Sequence, residues 1–285
     1  SHDVVNRLRR STGVRRIGHA GTLDPSATGV LVLLVGKATR LSEYFMDTRK
    51  EYRGRMRLGA ATDSHDAEGS IVEERPIAHV TDEKIRRVFH EFTGETMQVP
   101  PMTSAIKRGG RPLYELARKG VVVEREPRAI HIDRLELLDY EPPDVDFEVG
   151  CSKGTYVRTV ANDVGEKLGT CAYLTALTRT AVGAFSLADA VRLEAVERKG
   201  GELEGVGFSM FEALSGWRSL RLDGQESDAV LFGGAVDVSR GRLEAGEGEL
   251  VRLTEDGQTL LAVGVARGKG PELLEVRPVK VFRSV

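Results

Sequence analysis

The 285-residue sequence has only two cysteines, Cys151 and Cys171, and a single tryptophan. Two cysteines are too few for a disulfide framework or a cysteine-based zinc site, so we expect a protein of the reducing cytoplasm. No apolar run approaches the roughly 18 residues that a membrane-spanning helix needs, and no secretory signal is present. We therefore expect no membrane partner.

Motifs for nucleotide cofactors and for a serine nucleophile are also missing. The sequence has no phosphate-binding glycine loop followed by Lys-Ser/Thr, no dinucleotide fingerprint and no Gly-x-Ser-x-Gly elbow. His65 lies beside Asp63 and Asp66, but three ligand groups within four residues of one loop give poor metal geometry. We therefore expect neither a cofactor nor a metal.

Charge is unevenly distributed, although the net charge is only −2. Residues 1–60 contain 12 Lys+Arg against 5 Asp+Glu, a balance of +7, whereas residues 201–285 have a balance of −4. A basic block on an acidic protein indicates a localised surface for a polyanion. Exposed arginine-rich faces are common in any case, so charge alone leaves both interpretations open.

Hydrophobic periodicity predicts a mixed α/β chain. The apolar run 30–35 predicts a strand buried on both faces, and residues 51–58 alternate between an apolar face and a basic face. Residues 81–94 predict a helix capped by Thr81, and a further helix begins after Gly154. These elements alternate in the way that is typical of an α/β or α+β domain.

The chain divides into two predicted domains. Residues 1–200 form the larger one, and it contains a basic excursion over 99–120 that is rich in Pro, Gly, Lys and Arg. A Gly- and Glu-rich linker follows, and residues 218–285 carry short, punctuated strands that predict a small β-rich domain. The chain starts without an initiator methionine, which is typical of a fragment of a longer product.

Two side chains are candidates for chemistry on the residues alone. Asp24 lies in the turn "HAGTLDPSATG" directly before Pro25, where an aspartate most often caps a turn, but where its carboxylate can also act as a nucleophile or base. Arg158 stands at a helix start, where it is ordinarily solvated unless it pairs with a buried carboxylate. Tyr52, on the apolar face of its strand, is typical of a core residue.

Several long motifs resemble the TruB family, the bacterial tRNA pseudouridine(55) synthases. The first is "RRIGHAGTLDPSATGVLVLLVGKATR", and "KEYRGRMRLGAATDSHDAEG", "QVPPMTSAIKRGGRPLYELARKG", "CSKGTYVRTVANDVGEKLG" and "LTALTRTAVGAF" follow in the family's order. The resemblance extends from Ser1 to about Phe185. The acidic tail resembles a PUA domain only by position and hairpin character. The family's N-terminal strand and its Lys-Pro turn are not in this chain, and "LTRT" replaces the usual Leu-Arg-Arg.

The resemblance implies a pseudouridine synthase fold with a mixed β-sheet and a central cleft, plus a small C-terminal β-rich PUA-like domain. It implies that Asp24 is the nucleophile, that Arg158 pairs with it, and that Tyr52 stacks on the target base and accepts a proton. Tyr156 would line the same pocket, Leu177 would pack on the other side of the base, and His19 would enter the RNA loop.

The implied function is isomerisation of uridine 55 in the T-loop of tRNA, reached by base flipping, by a monomer that uses no cofactor. The expected phosphate-contacting residues are Arg53, Arg55, Lys107, Arg108, Arg111 and Arg118. Assistance in tRNA folding is a further implied role. The alternatives are an RNA-folding chaperone without essential catalysis and a guide-RNA-dependent, dyskerin-like enzyme acting on ribosomal RNA. A glycoside-handling enzyme would need a second carboxylate partnered with Asp24, and no segment suggests one.

Overall fold

A computed structural model describes residues 1–104, 106–117, 119–121, 123–203 and 205–282. The chain forms two compact units. The first contains Ser1, His19–Val32 and Glu43–Ala190, and the second contains His2–Gly18, Leu33–Ser42 and the described residues from Val191 onward. Every helix in these ranges is too short or too polar to cross a lipid bilayer.

The strands and helices follow one another in mixed order along the chain. The strands are β1 (Ile17–His19), β2 (Thr28–Gly29), β3 (Leu33–Val35), β4 (Lys50–Leu58), β5 (Ala60–Thr62), β6 (Ile71–Glu74), β7 (Gly94–Gln98), β8 (Lys107–Arg108), β9 (Arg111–Pro112), β10 (Arg128–Glu141), β11 (Asp144–Cys151), β12 (Ala172–Val182), β13 (Phe185–Ser186), β14 (Arg218–Arg221), β15 (Val236–Ser239), β16 (Leu250–Thr254), β17 (Ala262–Gly268) and β18 (Leu273–Val281). The α-helices are α1 (His2–Thr12), α2 (Ser42–Met46), α3 (Asp82–Phe92), α4 (Leu113–Ala117), α5 (Val157–Lys167), α6 (Leu193–Arg198) and α7 (Gly224–Leu231). Short 3-10 helices cover Gly36–Leu41, Leu187–Asp189 and Glu212–Leu214.

The first unit is built on a sheet with the strand order β13-β12-β4-β11-β10-β7, and β2 lies beside β12. The pairs along this path are antiparallel, whereas β2 runs parallel to β12, so the sheet is mixed. Helices α3 and α5 pack against β10 and β12. The predicted helix at 81–94 is confirmed, and the Thr81 hydroxyl accepts the backbone N–H of Lys84 at its start.

Strand β4 confirms the alternation predicted for residues 51–58. Its apolar side chains face the core, because Met56 and Leu58 are buried, whereas the arginines that alternate along the strand are exposed. The three arginines form a ladder of ion pairs with acidic residues of β11, which are Arg53–Glu148, Arg55–Asp146 and Arg57–Asp144. The exposed face of β4 is therefore charge-balanced by its neighbour, although the β4 sequence alone predicts a basic face.

The second unit contains a five-stranded sheet in the order β14-β16-β17-β18-β15. Its core is formed by aliphatic residues such as Leu253, Leu274 and Val276. Helix α7 begins at a capping box in which Asp223 and Glu226 each accept the other's backbone N–H. This sheet agrees with the expected PUA-like character, and the mixed α/β fold class is confirmed. The predicted boundaries at residues 200 and 218 stay a prediction.

The apolar run 30–35 is not one strand. Thr28–Gly29 form β2 in the first unit, and Leu33–Val35 form β3, which pairs with β1. Leu31 and Val32 between them are only half-buried and lie outside regular strands. The prediction of a single strand buried on both faces was therefore wrong, because only Leu33–Val35 of the run form a strand and the run is divided between the two units after Val32.

Candidate active site

Asp24 lies in the loop between β1 and β2, where its carbonyl oxygen accepts the backbone N–H of Ala27 in a tight turn. The preceding residue is also fixed, since the Leu23 N–H donates to Ser1 Oγ over 2.9 Å. The Asp24 side chain is 35% exposed. The carboxylate is therefore held by its backbone at the edge of the core while one side remains accessible.

Arg158 connects Asp24 to a second carboxylate. It is the second residue of α5 and is 4% exposed. Its Nη1 donates to Asp66 Oδ2 over 3.0 Å, and its Nη2 lies 3.7 Å from Asp24 Oδ1. Nη2 also donates to the carbonyl of Thr103 over 3.0 Å. The guanidinium is therefore fixed by Asp66 and Thr103 in a position that faces Asp24, as the expected Arg158–Asp24 pairing requires.

Asp66 is the site residue that the sequence reasoning missed. It is 4% exposed, and its Oδ1 accepts the Ser64 hydroxyl over 2.6 Å. The loop is pinned to β12 because the Leu174 N–H donates to the carbonyl of His65, which has a left-handed φ of 64°. Arg158 therefore joins Asp66 and Asp24 as a shared counter-ion.

The surroundings of Asp24 shift its acidity in opposing directions. Burial raises the pKa of Asp24 above its ordinary value, the guanidinium groups of Arg158 and Arg179 lower it, and the negative charge of Asp66 raises it. Burial and Asp66 outweigh the two arginines, so the pKa of Asp24 is raised overall. Asp24 is thus a more basic carboxylate than an ordinary aspartate, with two cations that favour its ionised form.

Tyr52 lies on β4 and packs against the core of the first unit. Burial raises the pKa of Tyr52 to about 12, and a hydrogen bond with Arg179 opposes the shift. The side chain is therefore a neutral phenol at physiological pH, with a ring suited to stacking. Leu177, on the adjacent strand β12, is 8% exposed and lies in the same apolar cluster.

Tyr156 is positioned by its backbone. Its N–H donates to Gln98 Oε1 over 2.9 Å and its carbonyl accepts Gln98 Nε2 over 3.1 Å, which fixes the start of α5 against the end of β7. The Arg158 guanidinium carbon lies 5.8 Å from the centre of the Tyr156 ring, within cation–π range. His19 is the last residue of β1, five residues before Asp24.

The expected RNA-contacting residues fall into two groups. Lys107 and Arg108 form β8, which pairs with β9 at Arg111, and the Lys107 and Arg111 side chains are exposed. Arg118 lies outside the described residues. Arg53 and Arg55 are the exposed arginines already paired with carboxylates of β11. The RNA-binding roles of all six stay a prediction.

Among the described residues, one group of potential metal ligands lies close enough to share an ion, and it consists of Glu73, Glu166 and Cys171. Arg75 makes ion pairs with both carboxylates, over 2.7 and 2.9 Å. The positive charge that would balance these acids is therefore already supplied by the guanidinium.

The fold is similar to that of protein chains in solved structures. The protein chain matched in the structure titled "Crystal Structure of a Cbf5-Nop10-Gar1 Complex" superimposes with a TM-score of 0.74 at 26% identity, covering 99% of this chain and 81% of the other. A chain in an H/ACA RNP bound to a substrate RNA containing 2′-deoxyuridine has a TM-score of 0.73 at 24% identity, with the same coverage. This chain therefore has the same fold as the matched chains over nearly its whole length.

Sequence comparison identifies the family to which the chain belongs. Residues 9–157 match the model for the N-terminal domain of the TruB family of pseudouridylate synthases, and residues 158–202 match that of the tRNA pseudouridylate synthase B C-terminal domain. The tRNA pseudouridine synthase B of Opitutus terrae is 53% identical over 197 residues, which is 69% of this chain and 82% of that protein. Its counterpart in Pelotomaculum thermopropionicum is 43% identical over 296 residues, which is 99% of this chain and 93% of that protein. The chain belongs to the TruB family of pseudouridylate synthases.

Proposed function

We propose that this protein converts uridine 55 in the T-loop of tRNA to pseudouridine, with Asp24 as the nucleophile. Membership of a pseudouridylate synthase family makes the chain an isomerase of uridine in RNA. Curated relatives of nearly the same length that carry the name tRNA pseudouridine synthase B support tRNA as the substrate. The T-loop, position 55, action as a monomer and a cytoplasmic location are parts of this proposal.

The observation that best supports the proposal is the position of the Arg158 guanidinium between the carboxylates of Asp66 and Asp24. A nucleophilic carboxylate must be ionised and accessible, and it must not be neutralised by a tight ion pair. The Arg158–Asp66 contact is the shorter of the two, at 3.0 Å against 3.7 Å to Asp24. Asp66 therefore holds the guanidinium, and the Asp24 carboxylate keeps an oxygen available for substrate.

The reaction is an isomerisation in which no atoms are gained or lost. The Asp24 carboxylate attacks the ribose of the bound uridine, and the N1–C1′ bond breaks with its electron pair on the uracil. The uracil rotates in the pocket, C5 forms the new bond to C1′ with release of the carboxylate, C5 loses its proton and N1 gains one. The positive charges of Arg158 and Arg179 favour an ionised Asp24 before attack and after release.

The remaining residues are proposed to hold the uracil during its rotation. A stacked uridine cannot be reached inside an RNA loop, so it must be flipped out at a cost of about a few kcal/mol. We assign the faces of the base to Tyr52 and Leu177, the wall of the pocket to Tyr156 and the filling of the vacated stack to His19. As a neutral phenol, Tyr52 can take the C5 proton only through its oxygen lone pair, with concurrent transfer to N1 or solvent.

The test is to incubate the purified chain with an unmodified tRNA transcript and to map pseudouridine by carbodiimide modification and primer extension. The expected result is one modification at uridine 55, and an isolated T stem-loop should also be a substrate. A transcript with cytidine at position 55 is the matched control. Modification that appears only with an added guide RNA would favour the dyskerin-like alternative, and binding without any modification would favour the chaperone.

A further inference from the structure

Arg179 is among the largest fully buried side chains of the described chain, with 1% of its surface exposed. It lies on β12, and its guanidinium donates to three backbone carbonyls of the loop that carries Asp24. Nη2 donates to Gly21 over 3.0 Å, Nη1 to Thr22 over 3.4 Å and Nε to Val30 over 2.8 Å. The first two carbonyls precede Asp24 and the third follows it, so one side chain holds both ends of the loop.

The backbone of β12 fixes the same loop from the C-terminal side. The Val30 N–H donates to the carbonyl of Arg179 over 2.8 Å, and Thr28 and Thr178 share a hydroxyl hydrogen bond of 2.9 Å. Gly29 passes so close that an added Cβ would lie 2.2 Å from the Arg179 carbonyl oxygen. Arg179 therefore contacts the Asp24 loop with both its main chain and its side chain.

The charge of Arg179 is unusual for its position. Among the ion pairs of the described residues, none joins Arg179 to a carboxylate within 4 Å, and its guanidinium is hydrogen-bonded to carbonyl groups. Burying a cation without an adjacent anion carries a desolvation penalty, so neutral side chains ordinarily occupy such positions. The carboxylate that gains from this charge is Asp24, whose ionised form Arg179 favours.

We propose that Arg179 is a positioning residue for catalysis, which holds the Asp24 loop at both ends and supplies a buried positive charge that favours the ionised form of the Asp24 carboxylate. The inference rests on the proposed role of Asp24 as nucleophile. Two separable properties of the Arg179 side chain account for its two roles. The forked guanidinium holds the loop in position through hydrogen bonds, and the positive charge favours the ionised form of Asp24.

The groups that face Asp24 define how these properties can be separated. They are Arg158 from α5, Asp66 from the loop after β5, Arg179 from β12 and Tyr52 from β4. Arg179→Met removes the charge and the fork, whereas Arg179→Lys keeps a charge but cannot reach three carbonyls. Thr175→Val is the matched control, because it removes a hydroxyl contact of the same strand, to the carbonyl of Arg55, and leaves Arg179 and the Asp24 loop intact.

The experiment compares these variants with the parent by single-turnover pseudouridine formation across pH, by tRNA affinity and by thermal unfolding. We expect tRNA binding to change by less than about twofold, while the rate falls about 10²-fold in Arg179→Lys because the loop is misplaced by a fraction of an ångström. In Arg179→Met the acid limb of the pH profile should also move to higher pH. Thr175→Val should keep a rate within a few-fold of the parent.

A second readout does not depend on activity. The pKa of Asp24, followed by NMR of carboxyl-¹³C aspartate, should rise in Arg179→Met and stay near the parent value in Arg179→Lys. An unchanged Asp24 pKa in Arg179→Met, or a parent-like rate in Arg179→Lys, would overturn the inference. If Arg179→Met does not fold, the rate of Arg179→Lys decides. A parent that forms no pseudouridine, but whose Asp24 pKa responds to Arg179, would instead reject the proposed function.

Discussion

Arg158 and Asp66 form a buried ion pair with a 3.0 Å contact, in which the side chains are 5% and 6% exposed. Asp66 also accepts the hydroxyl of Ser64, and Arg158 also donates to the carbonyl of Thr103. Both members of the pair are therefore satisfied by further hydrogen bonds, as a buried pair must be to offset its desolvation. Arg158 is therefore held in place by Asp66 and the Thr103 carbonyl, independently of its longer contact with Asp24.

Asp66→Ala should be strongly destabilising, because it leaves Arg158 buried without its main counter-charge. Breaking a buried pair on one side costs about 3–5 kcal/mol in the free energy of unfolding. The surface pair Arg55–Asp146 provides the control, since Asp146→Ala at an exposed ion pair should cost less than about 1 kcal/mol. Urea unfolding measures both, and equal losses in the two variants would contradict the assigned role of Asp66.

The pKa that governs the acid limb of the pH–rate profile should be higher than the pKa of an ordinary aspartate. Asp24 must be ionised to attack, and burial raises its pKa from the usual 3.8. Removing the Asp66 charge lowers the Asp24 pKa, so Asp66→Asn should move this limb to lower pH. Single-turnover rates between pH 4 and 8 test the shift, and an unmoved limb in the variant would mean that another group controls it.

The same pKa shift predicts that Asp24 destabilises the folded state at neutral pH. The folded protein binds the Asp24 proton more tightly than the unfolded chain does, so this contribution to stability is full below the unfolded pKa and is lost as pH rises through the folded pKa. Asp24→Asn cannot ionise and should unfold at a higher temperature than the parent at pH 7.5. The difference should shrink as pH falls through the raised pKa of Asp24 toward the ordinary value of 3.8, and a variant less stable than the parent at pH 7.5 would contradict this sign.

Gly29→Ala should disrupt the Asp24 loop more than a glycine substitution at a similar φ elsewhere. Gly29 has a φ of 102° and lies against the Arg179 carbonyl, whereas Gly94 has a φ of 103° and nothing within 4 Å of an added Cβ. Gly94→Ala should cost about 1–2 kcal/mol from backbone strain alone. Gly29→Ala should cost more and also lower the rate, and equal costs would show that the close approach is unimportant.

The basic excursion over 99–120 should contribute more to RNA affinity than the arginines of β4. Lys107 is exposed in the hairpin of β8 and β9, whereas Arg55 is held by a bidentate contact with Asp146. Lys107→Gln should weaken tRNA binding and reduce the slope of log K against log salt by about 1. Arg55→Gln should leave that slope nearly unchanged. A larger effect for Arg55 would mean that RNA displaces Asp146.

Much of this site could be predicted from local sequence. Asp24 and Arg158 stand in long motifs, and the strand Lys50–Leu58 and the helices Asp82–Phe92 and Val157–Lys167 follow from periodicity and capping. The sequence also indicates the acidic partners of the β4 arginines, because Asp144, Asp146 and Glu148 alternate with the same period of two.

The rest depends on contacts between distant segments. Asp66 meets Arg158 only because its loop is pinned to β12 at Leu174. Nothing in the residues around position 66 indicates that partner, and the neighbouring His65 and Asp63 suggest a poor metal loop instead. The division of the run 30–35 could not be predicted for the same reason. A hydrophobic run indicates that its residues are buried, but it does not indicate which unit buries them.

The central claim is that Asp24 carries the chemistry, and the most direct test is pseudouridine formation by the parent and by Asp24→Asn on the same unmodified tRNA transcript. The exposed Asp139 supplies the matched control Asp139→Asn. We expect Asp24→Asn to bind tRNA as the parent does and to lose at least about 10³-fold in single-turnover rate, as removal of a nucleophile does. Asp139→Asn should remain active, and pseudouridine formation at a parent-like rate in Asp24→Asn would contradict the account.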